Sequence, residues 1–234
     1  MDRKIRIKPA GDRAVLVELG DSISEAVNRR VMALERRVMC GPAGAGILEA
    51  VPAFASLLVY YNPLVTDYDM VVKLLGRLSE QVDNGGERNG QTGQTGRVVE
   101  IPVCYGGKYG EDLPFVARHA GLSEAEVVRI HSGREYLIYM LGFLPGFPYL
   151  GGLDKRIFTP RLSNPRIRIP AGSVGIGGEQ TGIYPLDSPG GWQLIGRTPC
   201  RLFSPDGDGR LPYEAGDRIR FVPVSEREFE RLRI

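Results

Sequence analysis

The chain has 234 residues, enough for one large domain or for two small ones that each bury a core. Its composition, 42% hydrophobic and 25% charged, is ordinary for a globular protein, and a net charge of only +2 argues against a nucleic-acid-binding or membrane-binding surface. Three widely spaced cysteines favour a reducing compartment, and no segment approaches the ~20 apolar residues of a membrane span. Because the N-terminus also lacks an apolar leader, we expect a cytoplasmic protein with neither a nucleic-acid nor a membrane partner.

The first 84 residues alternate between strand and helix patterns. Residues 14–19 are typical of a strand, and Ser24 can cap a following helix whose apolar side chains recur at helical spacing. Two further strands at residues 47–53 and 57–61, and a second helix after them, complete the pattern. The order predicts an N-terminal α+β domain over residues 1–84, a small sandwich with helices on one face of an antiparallel sheet.

Residues 85–97 are rich in Gly, Asn, Gln and Thr and contain no large apolar side chain. Such a segment cannot bury enough surface to order itself by packing, so we predict that it is an interdomain linker.

The third segment, residues 98–234, begins with a strand at residues 98–104 and a short helix at 111–119. Ser123 and Glu126 form a capping-box pattern that predicts the start of another helix. Short β-prone runs then alternate with turn residues, and the dipeptides Pro145-Gly146 and Pro189-Gly190 each predict a type II turn. Many short strands at close spacing favour a closed or nearly closed β-barrel.

Metal and phosphate motifs are weak in this sequence. The two histidines, His119 and His131, have no metal-ligand spacing and no cysteine pair to support them, so we predict no metal site. The glycine-rich run at residues 172–178 lacks the Gly-Lys-Ser/Thr ending of a P-loop. It is compatible either with a backbone cradle for phosphate or with a hairpin whose backbones pass closely inside a barrel.

Three kinds of side chain leave a binding and a structural interpretation open. Arg166 and Arg168 alternate with isoleucines and should share one strand face, where they would bind a carboxylate or phosphate or simply be solvated. His131 could act as a general acid or base, or bond at a helix C-terminus. Clustered aromatic residues between rigid turns could form a pocket wall, a protein interface or barrel core. They are Phe143, Phe147, Tyr149 and Trp192.

Several ordered motifs resemble one known family. They are GDRAVLVEL at residues 11–19, GFLPGFPYLGGL at 142–153, PRLSNPR at 160–166 and IPAGSVGIGGEQTGIYPLDSPGGWQLIGRTP at 169–199. In combination they are similar to the 5-oxoprolinase B-subunit family, which also contains the Kip-type inhibitors of sporulation histidine kinases and has carried the label allophanate hydrolase subunit 1. The resemblance implies an N-terminal α+β domain followed by a C-terminal cyclophilin-like β-barrel.

The resemblance also implies a reaction, the hydrolysis of 5-oxo-L-proline to L-glutamate with ATP and Mg²⁺ in a complex with A and C subunits. A lactam is a poor electrophile because of its amide resonance, and phosphorylation of its oxygen would make the carbon attackable. Because the sequence contains no P-loop, we expect nucleotide binding to be shared with a partner subunit or to belong to the partner alone. The alternative function is a non-catalytic inhibitor that binds a sensor histidine kinase. Literal allophanate hydrolysis is disfavoured because no Ser-Ser-rich amidase segment is present.

We therefore expect a composite pocket whose arginines and glycine-lined backbone surround one cavity that a companion chain completes. The hypothesis assigns catalytic roles to His131, Arg166, Gln180 and Arg197. It assigns substrate or ATP binding to Arg161, Arg168, Gly172, Ser173, Gly175, Tyr184, Pro189, Gly190 and Trp192. It assigns an interface or pocket wall to Phe143, Pro145, Phe147 and Tyr149.

Overall fold

A computed structural model describes residues 5–22, 24–41, 46–84, 96–207 and 209–233. The chain divides into two compact units, Met1–Gln94 and Thr95–Ile234. Nearly all of the predicted linker, residues 85–97, lies outside the described residues. Each unit has hydrophobic clusters of its own.

The N-terminal unit is a four-stranded antiparallel sheet with two helices. Its elements are β1 (Arg6–Pro9), β2 (Ala14–Glu18), α1 (Glu25–Met39), β3 (Ile47–Pro52), β4 (Ser56–Tyr61) and α2 (Tyr68–Asn84). The strand order is β1-β2-β4-β3, and the core lies between the sheet and the helices, where Val17, Leu34 and Val59 are fully buried. The predicted α+β arrangement is confirmed, although the Ser24 side chain makes no capping bond at the start of α1.

The C-terminal unit is built around a closed barrel. Its strands are β5 (Val98–Tyr105), β6 (Glu135–Leu141), β7 (Pro148–Gly151), β8 (Arg166–Ile169), β9 (Ser173–Gly177), β10 (Gln180–Ile183), β11 (Ser188–Gly190), β12 (Gln193–Arg197) and β13 (Arg218–Pro223). Its helices are α3 (Leu113–Ala120), α4 (Glu124–Ser132) and α5 (Glu226–Leu232). Seven strands close in the order β10-β7-β6-β13-β5-β12-β9, with β9 pairing back to β10. The predicted fold class, α+β with a C-terminal barrel, is therefore confirmed.

Strand β13 comes last in the sequence but lies inside the barrel wall. It pairs in parallel with β5 on one side and antiparallel with β6 on the other. Side chains from the whole unit fill the barrel, among them the fully buried Ile138, Val174 and Ile219. The barrel interior is thus a packed core, and ligands must bind on its outside or at its rim.

Strands β8 and β11 form a separate two-stranded ribbon beside the barrel. The predicted type II turn at Pro189-Gly190 is wrong, because these residues belong to β11. The pairing register shifts between Ser188 and Gly190, so Pro189 sits at a bulge where its missing N–H costs no ladder hydrogen bond. The other predicted turn is confirmed: the Phe147 N–H donates to the Leu144 carbonyl at 3.0 Å, and Gly146 has φ +79°.

Candidate functional site

The C-terminal unit carries two cavities on the outside of the barrel core. The first, of about 350 Å³, is called here the aromatic pocket. It is lined by Phe143, Leu144, Phe147, Tyr149, Arg161, Pro165, Tyr184, Ser188, Pro189, Gly190, Gly191 and Trp192. The second, of about 620 Å³, is called the basic pocket. Its walls include Gly172, Asp187, Arg197, Arg201, Phe203, Phe229 and Arg233.

The aromatic pocket is organised around Phe147, which is 1% exposed. Its ring meets those of Tyr149, Tyr184 and Trp192 edge to face, with centroids 4.9, 5.2 and 5.5 Å away. Such pairs add directional stability to the burial of their area. The pocket wall is therefore a rigid aromatic cluster that is in place before any ligand arrives.

The turn that delivers Phe147 also exposes Phe143 at the mouth of the pocket. Phe143 has φ +66°, a conformation that costs a bulky residue free energy, and its side chain is 63% exposed. Pro145 occupies the turn between them without lining the cavity. An exposed aromatic ring held on a strained backbone is typical of a binding surface rather than of core filling.

The glycine-rich run makes room for the indole of Trp192. A Cβ atom at Gly177 would lie 2.4 Å from Trp192 Nε1, and one at Gly182 would lie 3.0 Å from Trp192 Cζ3. The residues from Ser173 to Gly177 form barrel strand β9, in which Ser173 and Gly175 are buried. Of the two interpretations of the glycine-rich run, the structure favours the hairpin whose backbones pass closely. Its glycines leave room for the Trp192 ring beside the aromatic pocket.

Three polar groups in this otherwise apolar pocket could orient a ligand. The Arg161 guanidinium lies 5.7 Å from the centre of the Trp192 ring and has no carboxylate partner among the described residues. The Ser188 side chain is buried, and its hydroxyl has no hydrogen-bond partner in the described structure. Burial raises the pKa of Tyr184 to about 12, so its hydroxyl keeps its proton at neutral pH. The pocket combines a cation and hydroxyl groups with flat apolar walls, which suits a small ring carrying a carboxylate.

Arg166 is placed outside both pockets and is fully engaged. Its guanidinium donates to both carboxylate oxygens of Asp112 at 2.8 Å, contacts Glu111 at 2.9 Å and donates to the Trp192 carbonyl at 3.3 Å. Asp112 in turn accepts from the Leu194 N–H at 2.6 Å. Arg166 therefore ties β8 to the segment before α3 and to β12, and it has little capacity left for a ligand.

Arg168 is also paired, with Asp187 at 2.6 Å. That Arg166 and Arg168 share one face of β8 stays a prediction, while the two isoleucines of the strand differ in burial: Ile167 is 92% exposed and Ile169 is fully buried. Strand β8 belongs to the two-stranded ribbon beside the barrel.

His131 lies at the end of α4 inside the barrel core and is 0% exposed. Its Nδ1 lies 2.8 Å from the Tyr105 hydroxyl and its Nε2 2.8 Å from the Thr181 hydroxyl, which itself donates to the Gly175 carbonyl at 3.0 Å. The Thr181 oxygen must therefore accept from His131 Nε2–H, which leaves Nδ1 to accept from Tyr105. Burial, with a smaller effect of Arg134, lowers the pKa of His131 to about 3. The ring is neutral, has both nitrogens hydrogen bonded and lines neither pocket.

The remaining predicted site residues do not share one cavity. Arg197 and Gly172 line the basic pocket, whereas Gln180 lines neither pocket and its buried side-chain nitrogen has no partner among the described residues. The single cavity that we expected is thus two cavities, with Arg161 in one and Arg197 in the other. Sequence reasoning missed Ser188, although its position directly before Pro189-Gly190 could have drawn attention to it.

Two kinds of feature are absent from the described residues. No group of three or more His, Cys, Asp or Glu side chains is arranged there to hold a metal ion. None of the helices in that part of the chain combines the length and the apolar character needed to cross a membrane.

Comparison with known proteins identifies the family. The model of the carboxyltransferase domain, subdomain C and D, matches residues 5–212. The B subunit of 5-oxoprolinase from Bacillus subtilis is 44% identical over 98% of this chain and 97% of its own length. The chain belongs to the 5-oxoprolinase B-subunit family. The resemblance inferred from the sequence motifs is thereby confirmed.

Solved structures place the same fold in other members and relatives of the family. A conserved uncharacterized protein from Pyrococcus horikoshii is 48% identical, with 96% of this chain and 100% of that chain covered and a TM-score of 0.55. The urea carboxylase of Kluyveromyces lactis is 21% identical with a TM-score of 0.74, covering 97% of this chain and 22% of that one. The second likeness shows that a larger carboxylase contains this fold as one of its parts.

Proposed function

We propose that this chain is the B subunit of an ATP-dependent 5-oxoprolinase, which with A and C subunits hydrolyses 5-oxo-L-proline to L-glutamate. The observation that carries the proposal is the likeness, over nearly the full length of both chains, to a protein named as the B subunit of 5-oxoprolinase. The aromatic pocket supports it, because its chemistry suits a small cyclic acid.

The substrate would lie in the aromatic pocket. The flat lactam ring would rest against the faces of Trp192 and Tyr149, and Arg161 would hold the carboxylate. The Ser188 hydroxyl, buried without a partner among the described residues, would hydrogen bond to the lactam amide and so recover the cost of its burial. This assigns binding and orientation to the present chain, which is the part of catalysis that a rigid pocket supplies.

ATP would transfer its γ-phosphoryl group to the lactam oxygen and release ADP. One water would then add to the activated carbon and expel the ring nitrogen, and a second water would hydrolyse the resulting acyl phosphate to L-glutamate and phosphate. Asp187, which lines the basic pocket, is paired with Arg168, the aromatic pocket has no carboxylate in its wall, and Asp112 is paired with Arg166, so these side chains do not fit a Mg²⁺ site. We infer that the metal ligands come from a partner subunit. The present chain would then be inactive alone and complete only in the complex.

The test reconstitutes the enzyme from the purified chain and the A and C subunits of the same organism, and measures glutamate formed from 5-oxoproline and ATP. Arg161→Ala should raise KM for 5-oxoproline about tenfold or more, because one charge-assisted bond contributes roughly 1.5–3 kcal/mol. KM for ATP should not change. Arg129→Ala, at an exposed position of α4 that lines neither pocket, is the matched control.

Two results would contradict the proposal. If well-folded subunits form no glutamate, the enzyme assignment is wrong. If glutamate forms but Arg161→Ala behaves like Arg129→Ala, the subunit assignment stands and the substrate lies elsewhere.

A second candidate function is a Kip-type inhibitor that binds a sensor histidine kinase. It is favoured by two exposed hydrophobic side chains, Phe143 at the mouth of the aromatic pocket and Ile167 in the ribbon that contributes to its wall. This function predicts inhibition of kinase autophosphorylation by the chain alone, and its loss in the variant Phe143→Ser. Glutamate formation by the reconstituted subunits without any kinase inhibition would reject it.

A further inference from the structure

The basic pocket is a second candidate site, separate from the aromatic pocket. Three arginines reach its wall, Arg197 from the end of β12, Arg201 from the following loop and Arg233 from the end of α5. The one acidic residue in the wall, Asp187, is already paired with Arg168 at 2.6 Å. Arg233 is paired with Glu230 at 3.7 Å, so Arg197 and Arg201 give the cavity its excess of positive charge.

Arg197 is held in a fixed orientation. Its Nε–H donates to the Ala171 carbonyl at 2.9 Å, and the Ala171 N–H donates to Asp187 at 2.7 Å. The N–H and the carbonyl of Ala171 are thus both hydrogen bonded. The orientation of the Arg197 guanidinium plane is therefore fixed before a ligand binds. Its two terminal nitrogens have no hydrogen-bond partner among the described residues, which leaves a planar pair of donors for an oxyanion.

Arg201 adds a charge that no described carboxylate offsets. Its side chain is exposed, and no described carboxylate pairs with it. A cation that lines a cavity without an anionic partner costs the folded protein little, and it becomes a strong contact when a phosphate enters. The pocket also has apolar walls, which include Phe203 and the largely buried Phe229.

We propose that the basic pocket binds a ligand that carries two or more phosphate groups next to an apolar ring, the chemistry of a nucleoside di- or triphosphate. The arginines would contact the phosphates, and the aromatic side chains would contact the base. The site deepens the proposed function, because it would give this chain a share of the nucleotide, but it is tested by binding to the chain alone.

The experiment is isothermal titration of the full chain with ATP and, separately, with inorganic triphosphate. Both should bind, and ATP should bind more tightly because it also uses the apolar walls. Arg201→Ala should weaken both about tenfold, the loss expected for one charge-assisted contact, and Arg201→Lys should recover part of the affinity. Since Arg201 has no partner among the described side chains, its substitution should leave folding intact, which thermal unfolding checks.

Arg227→Ala is the matched control, since it removes an exposed arginine from α5 that does not line the cavity. The proposal is overturned if neither ligand binds at millimolar concentration, or if Arg201→Ala and Arg227→Ala weaken binding equally, which would indicate diffuse charge attraction. It is also overturned if ATP binds but inorganic triphosphate does not. None of these results bears on KM for 5-oxoproline in Arg161→Ala, so the two assignments fail separately.

Discussion

The surroundings of His131 prevent its ring from taking up a proton near neutral pH, which is the property that suits histidine to acid–base catalysis. Both of its ring nitrogens are bonded inside the barrel, and its pKa is lowered to about 3 mainly by burial. Burial also raises the pKa of Tyr105, so the hydroxyl that donates to Nδ1 keeps its proton. The relay of Tyr105, His131 and Thr181 is therefore a neutral, satisfied hydrogen-bond network that specifies the core.

This network predicts an acid-sensitive stability. In the unfolded chain His131 is protonated near its ordinary pKa of 6.5, whereas in the folded chain its pKa is about 3 and the ring stays neutral above that pH. Between these values the unfolded state binds more protons, so stability falls as pH falls. We expect His131 to account for a loss of about 2 kcal/mol in the free energy of unfolding between pH 7 and pH 5.

The measurement is urea unfolding across that pH range in the wild type and in His131→Gln, whose side chain does not titrate. His131→Gln should flatten the acid slope even if it lowers stability overall. His119→Gln, which removes the exposed histidine of α3, should keep the wild-type slope. Equal slopes in all three proteins would refute the assignment.

At the scale of elements, the aromatic pocket depends on glycines in β9 and β10 that admit the Trp192 ring. A side chain at Gly177 would overlap the indole, whereas the nearest atom to a Cβ at Gly191 is 3.6 Å away, an ordinary contact. Neither glycine has a positive φ, so the two positions differ in space and not in backbone strain.

Gly177→Ala should therefore displace Trp192 and destabilise the C-terminal unit by about 1–3 kcal/mol, the usual cost of overpacking. Because Trp192 is the only tryptophan, its fluorescence reports the displacement directly, and thermal unfolding reports the cost. Gly191→Ala should change neither. An unchanged emission spectrum in Gly177→Ala would show that the indole is not held where the structure places it.

Elements whose signals are local could be predicted from the sequence. The capping box of Ser123 and Glu126 is present at the start of α4, and the Leu144 to Phe147 turn forms as expected, since four consecutive residues contain all the needed chemistry. Pro189-Gly190 has the same two residues as the turn at Pro145-Gly146 but lies in a strand, because its conformation is set by pairing with β8.

The candidate site was predictable only in part, for the same physical reason. The aromatic residues Phe143, Phe147 and Tyr149 are close together in the sequence and line one pocket, which Tyr184 and Trp192 join from farther along the chain. Arg161, Arg166 and Arg168 are close in the sequence, but only Arg161 lines the aromatic pocket, because Arg166 and Arg168 pair with carboxylates distant along the chain. Arg166 is bonded to Asp112, 54 residues away, and no periodicity within β8 contains that information.

At the scale of the whole molecule, the two compact units have separate cores. The N-terminal core is drawn from residues 15–75 and the main barrel core from residues 101–221. Each buries fully enclosed aliphatic side chains of its own, so each has the means to fold as a domain.

We therefore expect a protein shortened to residues 95–234 to unfold cooperatively, with the Trp192 emission of the full chain. The measurement is denaturant unfolding followed by circular dichroism and by tryptophan fluorescence, which should give coincident transitions. The full-length chain is the reference. A shortened protein with a red-shifted emission and no sigmoidal transition would show that the barrel cannot fold without the first 94 residues.

The place of β13 in the barrel wall bears on how the protein is made. A ribosome releases the chain from its N-terminal end, so the sheet of the first unit can assemble while the rest is still being translated. Strands β5 and β6 must wait for residues 218–223 to fill the gap between them. Until then two strand edges stay open to other chains. A chain truncated before residue 218 would thus be prone to aggregate, because its N-terminal domain could fold while its barrel would lack β13 and stay open.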